Sequence, residues 1–172
     1  MHLNLKTILL PLVILLAGLL ILTSFPGIVG SQQGSLTPTP AEDDLAKAAA
    51  IQGATVFFTI DEQAGKDAWI ESFCMVSTES GCAFYKLGLS KLWKQFETAH
   101  TSITPTILSS EKVTTFPEKQ GQQVWKLEVE LSKPLPGRSS SKDTAYTLVV
   151  FEQGTWKFDR FLTPDEVNGL SR

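Results

Sequence analysis

The residues best placed to do chemistry are Cys74 and Cys82, the two cysteines of this 172-residue chain, which lie eight positions apart. In an oxidising compartment such a pair forms a disulfide. Closing so short a loop stabilises the fold by about 2.5 kcal/mol, because the unfolded chain loses entropy. Two buried thiols or a redox pair are the alternatives, although redox pairs usually have Cys-x-x-Cys spacing. The leading prediction is a structural disulfide.

Groups suited to acid–base catalysis or metal binding are sparse. His2 and His100 are the only histidines, and His100 falls at the end of a predicted helix, where it complements the helix dipole or meets solvent. Asp159 lies next to an arginine in a predicted strand, which a surface ion pair explains. Glu128 and Glu130, two positions apart, share the polar face of another predicted strand. We predict no catalytic residue, no cofactor and no metal site.

An apolar segment near the N-terminus decides where the rest of the chain works. No ionisable residue occurs between Lys6 and Glu42, and residues 8–29, as a helix, are long enough to cross the roughly 30 Å hydrocarbon core of a bilayer. Basic charge before the segment and acidic charge after it favour a cytoplasmic N-terminus and a single-pass protein of the cell membrane. We predict a cytoplasmic tail over 1–7, a transmembrane anchor over 8–29, a flexible linker over 30–40 and an extracytoplasmic domain over 41–172.

A cleaved secretory signal is the alternative interpretation of the same segment. Residues 8–22 form an apolar core behind a basic start, and Gly30 offers a small residue at a cleavage point before Ser31. Both interpretations export residues 41–172. The Ser-, Gly- and Pro-containing stretch that follows the apolar segment is typical of a linker in either case.

The charge distribution argues against nucleic acid as a partner. The formal net charge of the chain is −3, and its lysines are spread along the sequence instead of forming one basic segment. Binding to phosphate backbones requires a basic face that releases counterions. A composition of 42% hydrophobic and 19% charged residues is that of a globular protein.

Apolar residues at spacings of three and four predict three helices. The first begins at the acidic run 42–44 and continues to about Asp61. The second covers 67–77 and the third 82–99, with a turn at Ser80-Gly81, so that the cysteines join helix two to helix three. The apolar faces expected for the three helices are Leu45, Ala49, Gln52, Val56 and Ile60; Trp69, Ile70, Phe73 and Val76; and Phe84, Leu87, Leu89, Leu92, Trp93 and Phe96.

After His100 the periodicity changes from helical to alternating. In the clearest strand, 124–131, the odd-numbered positions from Trp125 to Leu131 are apolar, and the even-numbered positions from 126 to 130 are charged. Further strands are predicted over 103–116, 144–151 and 155–162, the last two joined by a hairpin at Gly154. A last helical turn over 164–170 is expected, with Thr163 as its cap. The fold class is therefore α+β, with three helices packed on a curved four-stranded antiparallel sheet.

Two segments carry a resemblance to a known group. Phe57-Phe58-Thr59 stands near the end of the long first helix, and Gly154-Thr155-Trp156-Lys157-Phe158 forms the last hairpin. With the helical pair between them, residues 41–163 resemble the cone-shaped superfamily that includes nuclear transport factor two, ketosteroid isomerase and the SnoaL-like proteins. Within it, a short tail, one membrane helix, a linker and an exported cone domain resemble the assembly proteins of type IV secretion and conjugation systems.

The resemblance implies a non-enzymatic, membrane-anchored scaffold whose exported domain contacts other proteins, or further copies of itself, through its sheet face and loops. A small-molecule-binding or sensing cone domain is the alternative. An isomerase or dehydratase, relying on His100 or Asp159, ranks third. If the cone is open between helices and sheet, the resemblance places a pocket there, and the expected lining residues are Trp125, Trp156, Phe57 and Trp93.

Overall fold

The computed structural model describes residues 40–114 and 120–170 of the chain. These ranges contain four helices and four strands. Three helices precede the strands and a short helix follows them: α1 Pro40–Phe58, α2 Gly65–Val76, α3 Glu79–Ala99, β1 Pro105–Lys112, β2 Gln122–Leu131, β3 Lys142–Glu152, β4 Thr155–Leu162 and α4 Pro164–Leu170. The predicted tail and anchor, and the linker up to residue 39, lie outside the described residues. Within the described ranges no helix has the length and apolarity to cross a bilayer.

The strands form one antiparallel sheet in the order β1–β2–β3–β4, which confirms the predicted meander. In β2, Trp125 and the odd-numbered positions after it are buried, whereas the charged even-numbered positions are partly exposed. The β3–β4 connection is a two-residue turn with φ of 54° at Gln153 and 83° at Gly154. Such positive φ values suit the hairpin twist, and glycine adopts them without strain.

Strand β1 is shorter than the predicted strand 103–116. Ile103 pairs instead with Ile60 in an isolated bridge, N–H to O at 2.8 and 2.9 Å. Helix α1 therefore ends at Phe58, three residues before the predicted end, because the Ile60 backbone N–H and carbonyl are hydrogen-bonded to Ile103 and not to the helix. Residues 115–119 lie outside the described part of the chain.

The predicted apolar stripe of α1 is correct only in part, because Ala49 and Ile60 are buried but two other members face solvent. Leu45 is 62% exposed, and Gln52 is also exposed. Up to residue 54 the buried face consists of small residues: Ala46, Ala49, Ala50, Gly53 and Ala54. A Cβ atom added at Gly53 would lie 2.3 Å from Cγ of Phe158 in β4. The helix therefore turns its smallest side chains inwards, because its backbone must come close to the sheet.

Helices α1, α2 and α3 cover one face of the sheet, and aromatic rings fill the space between the two layers. Phe57 is the centre of this packing, with ring centroids 4.8 Å from Phe161, 5.6 Å from Tyr85 and 5.8 Å from both Trp69 and Phe73. Burial raises the pKa of Tyr85, whose hydroxyl oxygen accepts a hydrogen bond from the Phe161 backbone N–H at 3.0 Å.

The other face of the sheet is covered at one end by α4. Val167 of α4 is buried with Val124, Leu148 and Leu162, which are outward-facing strand residues. The predicted cap at Thr163 is confirmed. Glu166 N–H donates to Thr163 Oγ1 at 3.2 Å, and Thr163 N–H donates to Glu166 Oε2 at 2.8 Å. This reciprocal arrangement is a capping box, in which the backbone N–H groups of Thr163 and Glu166 both have hydrogen-bond acceptors.

The capping box makes stability depend on pH through Glu166. The Thr163 N–H, together with Arg160 Nη1 at 2.7 Å, lowers the pKa of Glu166 from 4.5 to about 2. A carboxyl whose folded-state pKa is depressed contributes stability above its unfolded pKa and loses it as the pH falls through the folded value. The relevant window therefore runs from about pH 4.5 down to about pH 2.

We expect Glu166→Gln to lower the free energy of unfolding by about 1 kcal/mol at pH 7, the usual magnitude for a helix cap. The Glu166 side chain is 38% exposed, so solvent screens its ion pair and keeps the effect small. Urea unfolding at pH 7 and near pH 2 measures the difference, which should nearly vanish at the lower pH. Asp165→Asn, an exposed carboxylate outside the box, is the matched control. An equal loss at both pH values would contradict this prediction.

Candidate functional site

The predicted disulfide is formed, with Cys74 and Cys82 joining the end of α2 to the start of α3 at a Cα–Cα distance of 4.7 Å. Helix α3 begins at Glu79, three residues before the predicted start, and the turn predicted at Ser80-Gly81 is wrong. Both residues lie inside the first turn of α3, because Thr78 caps it by accepting the Gly81 N–H at 2.9 Å. The disulfide and the cap lie at one corner of the fold.

Asp159 ties this α2–α3 corner to the sheet. Its Oδ1 accepts hydrogen bonds from Thr78 Oγ1 at 2.5 Å and Ser80 Oγ at 3.0 Å. The Thr78 N–H donates to the Phe158 carbonyl at 2.8 Å. A Cβ at Gly81 would lie 2.3 Å from the Asp159 carbonyl oxygen, so only glycine fits here. The carboxylate considered as a catalytic group thus has partners that hold a helix start in place.

His100 lies at the C-terminal cap of α3, with a left-handed φ of 48°. Its Nδ1 is 2.7 Å from Glu62 Oε1, and its side chain is 83% exposed. This matches the expectation of a histidine at a helix end that meets solvent. The structure does not bring His100 and Asp159 together, since Asp159 of β4 contacts the start of α3 and His100 caps its end.

The four residues expected to line a pocket lie in different surroundings. Phe57 and Trp93 belong to the aromatic core between helices and sheet, where Trp93 is 2% exposed. Trp156 is half-buried at the β3–β4 hairpin, with its ring 5.6 Å from Phe151. Trp125 is buried, and its Nε1 donates to Gln123 Oε1 at 3.1 Å. Their role in ligand binding stays a prediction.

A chain of polar contacts continues from Trp125 to the start of α1. Gln123 Nε2 donates to Asp43 Oδ1 at 2.8 Å, and Lys112 Nζ lies 3.0 Å from the same oxygen. Asp43 therefore uses its carboxylate inside the domain, holding the first turn of α1 against β1 and β2. Asp44, the next residue, is exposed.

A half-enclosed groove of about 250 Å³ lies between the end of α1 and the start of α2. Val56, Ala68 and Trp69 give it an apolar floor, and Thr59 and Asp61 stand among its polar lining residues. Asp61 already accepts the Gln63 N–H at 2.9 Å. Within the described residues no group of acidic, histidine and cysteine side chains has the geometry to hold a metal ion.

The outer face of the sheet, a predicted contact surface for partners, carries charged side chains that pair with one another. Lys126 Nζ lies 3.0 Å from Glu128 Oε1, and Thr144 Oγ1 donates to Glu128 Oε2 at 3.0 Å. The hydrogen bond from Lys126 lowers the pKa of Glu128, and the same bond raises the pKa of Lys126.

The three most exposed large apolar side chains among the described residues lie instead on α2 and α3. Leu87 is 84% exposed and Phe84 is 64% exposed, although both were predicted to lie on the buried face of their helix. A helix turns by about 100° per residue, so Leu87 projects opposite Phe96, which is 1% exposed. The two apolar sets cannot share one face. Met75, 73% exposed, directly follows Cys74 and so lies near the same end of the helix pair.

Basic residues extend this surface along α3. Between Glu79 and Glu97 the helix carries Lys86, Lys91 and Lys94 and no acidic residue. All three lysines are exposed, and none of the ion pairs among residues 40–114 and 120–170 includes them. This is a local charge of +3 on a chain whose net charge is −3.

Helical spacing places two of these lysines on the same side as the apolar pair. We call Phe84, Leu87, Lys91 and Lys94 the outer stripe of α3. Beyond Lys94 the surface continues into an open depression of about 550 Å³, which Thr98 shares with Pro136 and Gly137 of the β2–β3 loop. A helical wheel of the sequence alone would have separated this stripe from the core face, because its members recur every three or four residues.

Comparison with known proteins supplies no family for this chain. No protein-family model matches it, and no curated protein matches it at a significant level. The outer stripe, a hydrophobic and basic strip on the exposed side of a disulfide-braced helix, is therefore the strongest candidate functional surface.

Proposed function

We propose that this chain is a membrane-anchored scaffold protein whose exported domain binds another protein through the outer stripe of α3. The observation that carries the proposal is the exposure of Leu87 and Phe84 on one helix face beside Lys91 and Lys94, which form no ion pair with any residue that the structure describes. Scattered surface leucines are normal, but adjacent large apolar side chains rimmed by charge are typical of interaction sites. At protein interfaces a few side chains supply most of the binding energy, so a small stripe of this kind is sufficient for a contact.

The anchor and the compartment belong to the same proposal. Residues 8–29 are apolar and uncharged, and a disulfide is favoured outside the cytosol, where thiols are oxidised. The disulfide between Cys74 and Cys82 supports an exported domain for this reason. Anchoring also concentrates the domain at a surface, so that a weak contact through α3 is sufficient.

The architecture supports a cone-like domain of the nuclear transport factor two type. Three helices precede a four-stranded antiparallel meander, and at the end of the first helix Phe57 packs on Trp69 of the second helix while Phe58 packs on Phe161 of the last strand. In the layout of conjugation and type IV secretion assembly proteins, such a domain joins envelope components by protein contacts. The proposed biological setting is an assembly of that kind.

A photo-crosslinking amino acid at Leu87 of the full chain tests the interaction in intact cells. We expect one discrete crosslinked protein from Leu87 and none from Asp165, an exposed position on α4 that serves as the control. Phe84→Asp in the same chain should reduce the product several-fold, because a charge replaces an apolar contact. Phe84 is mostly exposed, so this variant should keep its unfolding midpoint. Absence of a product at Leu87, or equal products at both positions, would refute the interaction.

A further inference from the structure

We infer that the partner of the outer stripe is a second copy of this chain, which offers the exposed face of its α1. The inference rests on the proposed function and names the partner of the same surface. Its basis is a match between two exposed helix faces of one molecule. The exposed face of α1 and the outer stripe of α3 complement each other in charge and in apolar character.

The exposed face of α1 is acidic at its start and apolar or small after it. Leu45 is 62% exposed, and Ala41, Ala48 and Gln52 recur around it at helical spacing and are also exposed. Asp44 stands beside Leu45 and is exposed, with no partner among the described residues. Because Asp43 is engaged by Lys112 and Gln123, Asp44 is the carboxylate available on this face.

The two faces match when the helices run antiparallel. From Asp44 to Gln52 the chain rises about 12 Å, and from Phe84 to Lys91 it rises about 10.5 Å. An antiparallel pairing places Asp44 beside Lys91, and Gln52 near Phe84. The parallel pairing would set Asp44 against Phe84 and leave Lys91 without an acidic partner. In the antiparallel pairing Ala48 lies opposite Leu87, and its small side chain lets the two helices approach closely.

Such a contact is heterologous, because it joins two different surfaces. Copies inserted in one bilayer with the same orientation can be related only by rotation about an axis along the membrane normal, or by translation in its plane. Heterologous contacts repeated in this way produce rings or open rows instead of closed pairs. A head-to-tail contact between α3 and α1 is therefore compatible with the anchor, and it suits a scaffold.

Two differently tagged full-length chains, expressed together, test the contact by charge reversal. One chain carries the photo-crosslinker at Leu87, and we expect a product that holds both tags. Lys91→Glu with Lys94→Glu in that chain should reduce the product at least fivefold, because Asp44 would then face like charge. Asp44→Lys in the other chain should by itself reduce the two-tag product. When the first chain carries both reversed lysines, the same change should restore that product.

Asp67→Lys in the second chain is the matched control, since Asp67 is an exposed carboxylate on α2 whose side chain is 97% exposed. It should leave the two-tag product unchanged. A product at Leu87 that contains a different protein and never the second tag overturns this inference but leaves the proposed function standing. A two-tag product that charge reversal does not change, or that Asp44→Lys fails to restore, also overturns it. Absence of every product overturns both proposals.

Discussion

Gly53→Ala is expected to lower the free energy of unfolding by about 2 kcal/mol, although alanine is the better helix former by about 1 kcal/mol. The alanine Cβ would lie 2.3 to 2.4 Å from Cγ, Cβ and Cδ2 of Phe158. Phe158 is fully buried in β4 and cannot swing aside. Either α1 must move away from the sheet or Phe158 must leave its rotamer, and overpacking of this kind costs about 3 kcal/mol at the upper end of its usual range.

Gly88→Ala is the control for this prediction. Gly88 lies in the middle of α3, and a Cβ there would meet nothing within 4 Å. The same chemical change should therefore stabilise the domain by up to about 1 kcal/mol through helix propensity. Urea unfolding of the two variants should move the midpoint in opposite directions.

A double-mutant cycle identifies the cause of the loss. Phe158→Ala costs stability by itself because it removes aromatic contacts with Phe73 and Phe161. Combined with Gly53→Ala, it should cost less than the sum of the two single changes, since alanine at 158 lacks the Cγ and Cδ2 atoms that account for two of the three close contacts. Additive effects, or a stabilising Gly53→Ala, would show that α1 does not depend on this close approach.

Removing the disulfide by changing both cysteines to alanine should lower the free energy of unfolding by about 2.5 kcal/mol. The loop between Cys74 and Cys82 is short, and closing it limits the unfolded chain more than it changes the native contacts. For a domain of this size the melting temperature should fall by roughly 10 °C. The corner should still form, because Asp159, Thr78 and the Phe158 carbonyl hold it independently.

Differential scanning calorimetry with and without a reductant measures this effect. Reductant should lower the melting temperature of the natural chain to that of the alanine variant and leave the variant unchanged. The variant therefore serves as the internal control for any general effect of the reductant. Equal melting temperatures for the natural chain and the variant would contradict a stabilising role for the bridge.

Local patterns were sufficient to predict the sequence of elements. Alternation from Trp125 to Leu131 predicted a half-buried strand, and the structure has it. Gly154 predicted the hairpin, and Thr163, as a cap residue, predicted the start of the last helix. Each of these signals depends on a few neighbouring residues, because strand pleat, turn conformation and helix capping are short-range effects.

The elements whose faces were assigned wrongly are those whose burial depends on distant residues. Nothing near Gly53 in the sequence shows that Phe158 will press against it, so the larger Leu45 was expected to face the sheet. Leu87 was placed in the core for the same reason, since apolar residues occur on both sides of α3. The start of α3 depended on Asp159, which is separated from Thr78 by 81 positions.

By itself, the sequence determined the α+β class, the meander and the pairing of the two cysteines, because periodicity, turn chemistry and a short loop act locally. The tertiary structure alone decided which side of each helix meets the sheet. Packing selects the face that lets backbones approach, and this choice leaves Leu87 and Phe84 outside, on the surface that we propose as the interaction site.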